Sequence, residues 1–213
     1  MGQSIRHLLD EFPEITVQDF KLEKINIATQ SLVIDFSSPD YFSEILHTCV
    51  DQKLPIVIGT TGLNSNHHEL IGKAKKIIPI LMGSNMSIGI AALKKSITNF
   101  LMSSHQSFSC NLIEIHHTQK VDAPSGTAIE IMKFLEDLPG DKIQMPISIN
   151  SHRIGRAFGT HRVEFYNSRE TISFQHIAHS RDIFASGAIA AAQWIVSNPP
   201  GLYSFDDYLN KKL

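Results

Sequence analysis

Apolar residues follow two successive styles along the chain, with the change falling after Gly89. In the first part, short apolar runs alternate with helical spacings. "QSIRHLLDEF" carries Ile5, Leu8, Leu9 and Phe12 on one helical face, and Pro13 ends it. "ITVQDF" follows as a short strand. "SLVIDFSSP" is a compact apolar run stopped by an acid, a turn and Pro39, the way a buried parallel strand ends. "PDYFSEILHTCVDQ" predicts a helix, with Pro39 or Asp40 near its start and Tyr41, Ile45, Leu46 and Cys49 along its face. "LPIVIGTTGL" is the next buried strand and closes on a glycine loop. Helix "NHHELIGKAKKI" and strand "IPILMGSN" repeat the unit. Strands alternating with helices predict an open parallel sheet with right-handed crossovers. Ligands of such sheets bind at the carboxyl ends of the strands, here "DFSSP", "GTTG" and "GSNMSIG".

Beyond Gly89 the pattern is different. "IAALKKSITNFLMSS" is a long amphipathic helix, and "SCNLIEIHH" is a strand in which Leu112 and Glu114 alternate with Ile113 and Ile115. "GTAIEIMKFLEDL" is a helix opened by Ser125 or Thr127. "MPISINSHRI", "THRVEFYNS" and "ETISFQHIA" alternate with period two and predict a mostly antiparallel region. A small-residue helix, "FASGAIAAAQWIVS", and a short tail with Pro199-Pro200-Gly201 close the chain. The expected architecture is an α/β half, then an α+β half, then a helix returning to the first. There is no internal repeat.

Composition narrows the function classes. The 213 residues are 42% hydrophobic, enough for one medium domain or two small ones. A formal net charge of -2 supplies no basic field, so nucleic acid is not an expected partner. The 11 histidines make the charge state sensitive to mild acid. Cys49 and Cys110 stand far apart without a CxxC pattern, which suits a reducing compartment. No apolar run approaches the roughly 20 residues of a membrane helix, and the N-terminus lacks a signal peptide's apolar centre. The expectation is a soluble, cytoplasmic protein with no membrane partner.

Candidate chemistry is densest in "IEIHHTQKVDAPSGTA", Ile113 to Ala128. His116 and His117 adjoin on a strand and so face opposite ways, which disfavours a shared metal. A zinc site needs at least three placed ligands, and no HxH or HExxH spacing supplies them; no metal is expected. Lys120 lowers a neighbouring histidine's pKa and can orient an anion. Pro124 fixes a turn, and Ser125-Gly126-Thr127 opens a helix whose amides suit a carboxylate or phosphate. Simple capping by Ser125 and Thr127 accounts for the same residues. "GTTG", Gly59 to Gly62, admits a ligand close to the backbone, with Thr60 and Thr61 as donors, and equally suits a plain tight turn. In "GSNMSIG", Asn85 and Ser87 either meet a ligand or cap the next helix. Arg153, Arg156, Arg162 and Arg181 include plausible binders of a dianion.

"EIHHTQKVDAPSGTA" resembles the signature of the bacterial dihydrodipicolinate reductase family, the 4-hydroxy-tetrahydrodipicolinate reductases of lysine and diaminopimelate synthesis. "VIDFSSP", "VIGTTG", "GSNMSIGI" and "HIAHSRDIFASGAIAAAQWI" resemble its other segments in the same order, so the likeness runs from Met1 to about Leu209. The resemblance implies an α/β, Rossmann-like parallel sheet in a dinucleotide-binding domain, residues 1–86 completed by 183–213. A second α+β domain with a mixed open sheet, residues 87–182, would bind substrate and form a homotetramer. It implies a hydride transfer from NADH or NADPH to a small cyclic dicarboxylate. His116 would be the general acid, protonating substrate carbon as hydride arrives, and Lys120 would bind substrate and stabilise developing charge. His117 would contact substrate, with Gly126 and Thr127 holding a carboxylate. Gly59, Thr60, Thr61, Gly83, Ser84, Asn85 and Met86 would contact the cofactor.

In one respect the sequence departs from the family pattern. The family opens with a strand and a GxxGxMG turn for the cofactor pyrophosphate, and here Met1-Gly2 match only the last two residues of that turn. The sheet is accordingly expected to lack its first strand, and Asp19 and Glu23 are both candidates for the ribose contact. The expected explanation of the departure is a late-assigned start or a lost 5′ end. The alternative to a reductase is a folded, oligomeric relic that binds dicarboxylates but no dinucleotide; a histidine-metal hydrolase is a third reading.

Overall fold

The computed structural model describes residues 1–10, 15–16 and 31–210. The Pro13 stop, the strand "ITVQDF" past Thr16, and Asp19 and Glu23 lie outside the described residues. The chain forms two compact units, Met1–Met86 with Asp182–Leu213 and, between them in sequence, Ser87–Arg181. In chain order the first unit holds α1 (Gly2–Leu9), β1 (Val33–Asp35), α2 (Pro39–Asp51), β2 (Ile56–Ile58), α3 (Ser65–Ala74) and β3 (Pro79–Met82). The second holds α4 (Ile88–Ser103), β4 (Phe108–His116), α5 (Gly126–Glu136), β5 (Ile143–Arg153), β6 (Gly159–Tyr166) and β7 (Thr171–Ala178). The first unit resumes with α6 (Asp182–Ile195), β8 (Gly201–Ser204) and α7 (Phe205–Asn210).

In the first unit, four parallel strands run in the order β1-β2-β3-β8. Strand period two decides which helix each residue meets. Ile56, Ile58 and Ile80 face Phe42, Ile45, Leu46 and Cys49 of α2 and Ile71 of α3. Val57 and Leu81 face the opposite side, against Ala188, Ala191, Ala192 and Ile195 of α6 and Tyr208 of α7. With helices on both faces, β2 is buried at every position, which is why it reads as an unbroken apolar run. Each buried isoleucine contributes about 1.5–3 kcal/mol relative to exposure. The helix of "PDYFSEILHTCVDQ" is capped by Ser38, whose hydroxyl accepts the Asp40 N–H, with Pro39 in the first turn. The tail contains a strand and a helix that its prolines concealed: β8 pairs with β3 from Gly201 to Ser204, directly after Pro199-Pro200.

The small residues of α6 have a packing reason. A Cβ on Gly187 would stand 1.7 Å from the Met86 carbonyl oxygen, so glycine alone lets α6 lie against the loop after β3.

The second unit is a four-stranded sheet in the order β5-β4-β6-β7. The region is mostly antiparallel, as expected, with one parallel pair that makes the sheet mixed. β6 pairs antiparallel with β4 and β7, but β5 runs parallel to β4, because α5 carries the chain back across before β5 begins. Pro146, with no N–H to give, lies on the edge strand β5, beside the register shift between Ser109 and Asn111. One face of the sheet packs Cys110, Leu112, Val163 and Phe165 against Ile90, Leu93 and Ile97 of α4 and Ile131 and Leu135 of α5. Met145, Tyr166 and Ile177, on β5, β6 and β7, are exposed.

Candidate active site

In the second unit the polar cluster grows out of β4. Its burial alternates strictly, so Phe108, Cys110 and Leu112 enter the core while Glu114 and His116 continue the same face at the strand's end. Glu114 is fully buried and His116 only 6% exposed. His116 Nδ1 lies 2.7 Å from Glu114 Oε2. The other carboxylate oxygen accepts Arg153 Nη2 at 2.9 Å and the Ser125 N–H at 3.2 Å. Burial alone would raise the Glu114 carboxyl, but hydrogen bonds from Ser125, Ser151 and Arg153 and the neighbouring His116 hold it at about 2.

His116 is held at its backbone as well, since its carbonyl accepts the Ile154 N–H at 2.8 Å. Burial lowers its pKa; the Glu114 charge opposes that, and Lys120 and Arg153 add to it. The His161 ring stands edge-on at 5.2 Å between centroids. It is buried, and burial followed by the proximity of His116 pushes its pKa down to about 3. On its other side, His161 Nε2 lies 3.2 Å from the Ser125 hydroxyl.

Ser125 settles which residue opens α5. Its hydroxyl accepts the Ala128 N–H, so Ser125 and not Thr127 is the N-cap. Gly126 is exposed, with nothing within 4 Å of where a Cβ would stand, and Thr127 is half-buried. The Ala128 N–H is taken by the Ser125 hydroxyl, and the exposed Gly126 puts the start of the turn, the end of a helix that favours an anion, within reach of solvent. Lys120 is half-buried, with Nζ 2.8 Å from Asp122 Oδ1, and its backbone N–H bonds the carbonyl of the half-buried His117. The cluster therefore brings together a paired imidazole, a lysine and a helix N-terminus, a set suited to moving a proton beside a bound carboxylate.

One expectation about cations needs correcting. Arg153 is not available to a dianion: besides Glu114 it bonds the carbonyls of Lys120, His152 and Asp122, clamping the loop after β4. Arg162 is paired at 2.5 Å with Glu164. The metal argument from spacing also missed a constellation. Glu114, His116 and His161 bring one ligand atom each within 4.8 Å of one another. Arg153 and Ser125 occupy only Oε1 of that carboxylate, and the Ser125 hydroxyl lies against Nε2 of His161, whereas Glu114 Oε2, His116 Nδ1 and His161 Nδ1 are buried with no aligned hydrogen-bond partner among the described residues. Glu114 and His161 were not singled out from sequence. The available signal was Glu114-x-His116, since residues two apart on a strand share a face.

In the first unit the candidate loops lie at the carboxyl ends of β1, β2 and β3. Asp35, 3% exposed, ends β1 and organises the first two. Its carboxylate accepts the Ser37 N–H at 2.9 Å and the Thr60 hydroxyl at 2.8 Å, while its carbonyl accepts the Gly59 N–H. The Thr60 hydroxyl is thus committed to Asp35, and the exposed Thr61 carries the hydroxyl that faces solvent. Gly59 is required by packing: a Cβ there would stand 2.0 Å from the Phe36 ring. In the third loop, Gly83 is half-buried and Ser84 exposed, whereas Asn85 and Met86 are buried, Met86 within the core against α6. A cavity of about 360 Å³ lies at the end of β1, lined by Gly2 at the start of α1 and by Asp35, Phe36, Ser37 and Tyr41 among others. The two units therefore hold the expected sites separately: Gly59 to Thr61 and Gly83 to Met86 in one, His116 to Thr127 in the other.

A parallel sheet covered by helices, with glycine loops at its strand ends and a mixed second sheet, defines a Rossmann-like protein of two units. Residues 1–86 match the family model described as dihydrodipicolinate reductase, N-terminus, and residues 89–209 that described as dihydrodipicolinate reductase, C-terminus. The chain belongs to the dihydrodipicolinate reductase family. It is 37% identical over 214 residues to the 4-hydroxy-tetrahydrodipicolinate reductase of Bdellovibrio bacteriovorus, covering 98% of this chain and 91% of that one. It is 38% identical over 194 residues to the enzyme of the same name from Campylobacter lari, covering 84% and 80% of the two chains. Among solved structures, the dipicolinate-bound dihydrodipicolinate reductase from Paenisporosarcina sp. TG-14 shares the fold. Its TM-score is 0.62 at 22% sequence identity, over 81% of this chain and 71% of that one. No helix among the described residues is long and apolar enough to cross a membrane.

Proposed function

We propose that the chain is a 4-hydroxy-tetrahydrodipicolinate reductase. It transfers hydride from NADH or NADPH to 4-hydroxy-tetrahydrodipicolinate, or to its dehydrated form dihydrodipicolinate, giving tetrahydrodipicolinate in lysine and diaminopimelate biosynthesis. The observation that carries this reading is one buried carboxylate, Glu114, that meets both His116 and the Ser125 turn, with the charge of Lys120 near enough to bear on His116. The names of the relatives support the substrate class.

Bound nicotinamide supplies the hydride. Gly59, the Thr61 hydroxyl, Gly83 to Met86 and the cavity beside Gly2 suit a dinucleotide, since loops at parallel strand ends and a helix N-terminus together receive its phosphates. The first-turn amides at Gly126 and Thr127 hold one substrate carboxylate, with His117 alongside. Lys120 exchanges Asp122 for the substrate's negative charge, which orients the ring and steadies charge that develops on it. His116 delivers the proton to carbon. In the free protein its lowered pKa keeps the ring neutral at pH 7, and an arriving dianion raises it again, so the acid form is made where substrate is bound. The reading includes a cytoplasmic location. It also includes a homotetramer joined through the second unit, supported by the exposed Met145, Tyr166 and Ile177 of its sheet.

The test is loss of reduced-nicotinamide absorbance with purified protein, NADH or NADPH, and freshly made substrate. His116→Ala and Lys120→Ala should each lower the rate by about 10²- to 10⁴-fold, the range of a positioned proton donor or charge. Unchanged rates in both variants would overturn the assignment.

A further inference from the structure

The proton donor and the anion cradle share one buried residue, Glu114. One carboxylate oxygen meets His116 Nδ1 at 2.7 Å, and the other accepts the Ser125 N–H at 3.2 Å, at the N-cap of the cradle helix. Arg153 neutralises the carboxylate from β5 at 2.9 Å. An unpaired acid in this place would be strongly destabilising, so the arginine is part of what keeps the carboxylate there. The short contact favours one form of the imidazole: a carboxylate accepts only, so although the ring N–H is not aligned on Oε2, Nδ1 is the nitrogen that carries the hydrogen there and Nε2 is left to exchange a proton. Nε2 faces Gly159, where a Cβ would stand only 3.0 Å away, so the absence of a side chain keeps that nitrogen approachable.

We infer that Glu114 is a positioning residue for the reduction: it holds His116 in the Nδ1–H tautomer with Nε2 toward the substrate, and anchors the Ser125 turn in register with it. The inference rests on the reading of His116 as the acid. The charged and titratable groups facing His116 are Glu114 on its own strand, Lys120 and Arg153, whose positive charges oppose protonation, and the neutral His161 on β6. Of these, Glu114 alone favours the imidazolium. Replacing it by a neutral isostere therefore moves the protonation of His116 to lower pH.

The test pairs a native measurement with a variant. Nitrogen-15 NMR of the full chain should report His116 as the Nδ1–H tautomer when neutral; an Nε2–H ring in the native protein overturns the inference without any variant. Glu114→Gln should lower kcat on the order of ten- to hundredfold, as loss of an orienting partner does. It should also shift the acid-form limb of the kcat pH profile downward, while Glu114→Asp recovers the native limb in part. A uniform loss of rate with the limb unmoved would mean that Glu114 only supports the fold. The two assignments separate cleanly. Full activity in His116→Ala removes the acid and this role together, whereas a crippled His116→Ala beside an unmoved limb in Glu114→Gln removes this role alone.

Discussion

Asp35 and Glu114 are both buried acids near the ends of strands, one in each unit, and they are held by different kinds of partner. Asp35 is tied by a backbone amide and the Thr60 hydroxyl, uncharged donors that join the ends of β1 and β2. Glu114 is tied by a guanidinium, an imidazole and an amide. Neutral donors fix a loop without creating charge that a ligand or a proton can alter. A carboxylate between a cation and an imidazole is adjustable, because every change in protonation or in bound anion is felt by its neighbours. The first arrangement builds a shape, the second a chemical device.

Truncating each acid breaks this comparison most directly. Glu114→Ala leaves Arg153 and His116 around an emptied site and should cost about 3–5 kcal/mol, as breaking a buried pair does. Asp35→Ala removes hydrogen bonds to neutral partners and should cost about 1–3 kcal/mol. Urea unfolding of the two variants measures both. Equal losses would mean that the charged partners add nothing.

Acid separates the two regions next. Folded His161 stays neutral down to about pH 3, whereas its ordinary value is 6.5. The unfolded chain then binds more protons throughout that window, so stability is complete above 6.5 and falls as pH drops toward 3. The slope is at most about 1.4 kcal/mol per pH unit for this one group. The Glu114 contribution, present above its ordinary 4.5, is lost further down toward about 2. Denaturation midpoints measured at steps across this range should fall, and His161→Gln should flatten the upper part of the curve. A native-like slope in that variant would locate the acid sensitivity elsewhere.

Much of the fold was legible because its physics is periodic. Unbroken apolar runs marked β1, β2 and β3, and the helix between each pair followed from its own spacing. β8 was hidden because Gly201–Ser204 is too short for a period and follows two prolines. The direction of β5 was hidden because alternation says which faces a strand shows, not which way it runs. The site was half-legible for a related reason. In "FSCNLIEIH" both faces carry apolar residues, so nothing local says that Glu114 and His116 share the core side while Ile113 and Ile115 lie on the less buried one. His116, Lys120 and the Ser125 turn lie close in sequence and could be read together. Arg153 and His161 come from β5 and β6, and only strand pairing brings them to β4.

Two glycines sharpen the comparison with the smallest changes. A Cβ on Gly59 would enter the Phe36 ring at 2.0 Å, so Gly59→Ala should cost about 1–3 kcal/mol of stability through displacement of that ring. Gly159 needs no unusual backbone, and its added Cβ would meet little besides His116, at 3.0 Å from Nε2 and 3.4 Å from Cδ2. The methyl group would cover the nitrogen that the Glu114 contact leaves for proton transfer. Because the contact with His116 is tight and the site is buried, Gly159→Ala should cost about 1–3 kcal/mol of stability as the ring gives way. Its kcat should fall about tenfold, equivalent to about 1.4 kcal/mol on the barrier. If stability falls while kcat holds, the space beside His116 serves packing, and the proton must leave by the other nitrogen.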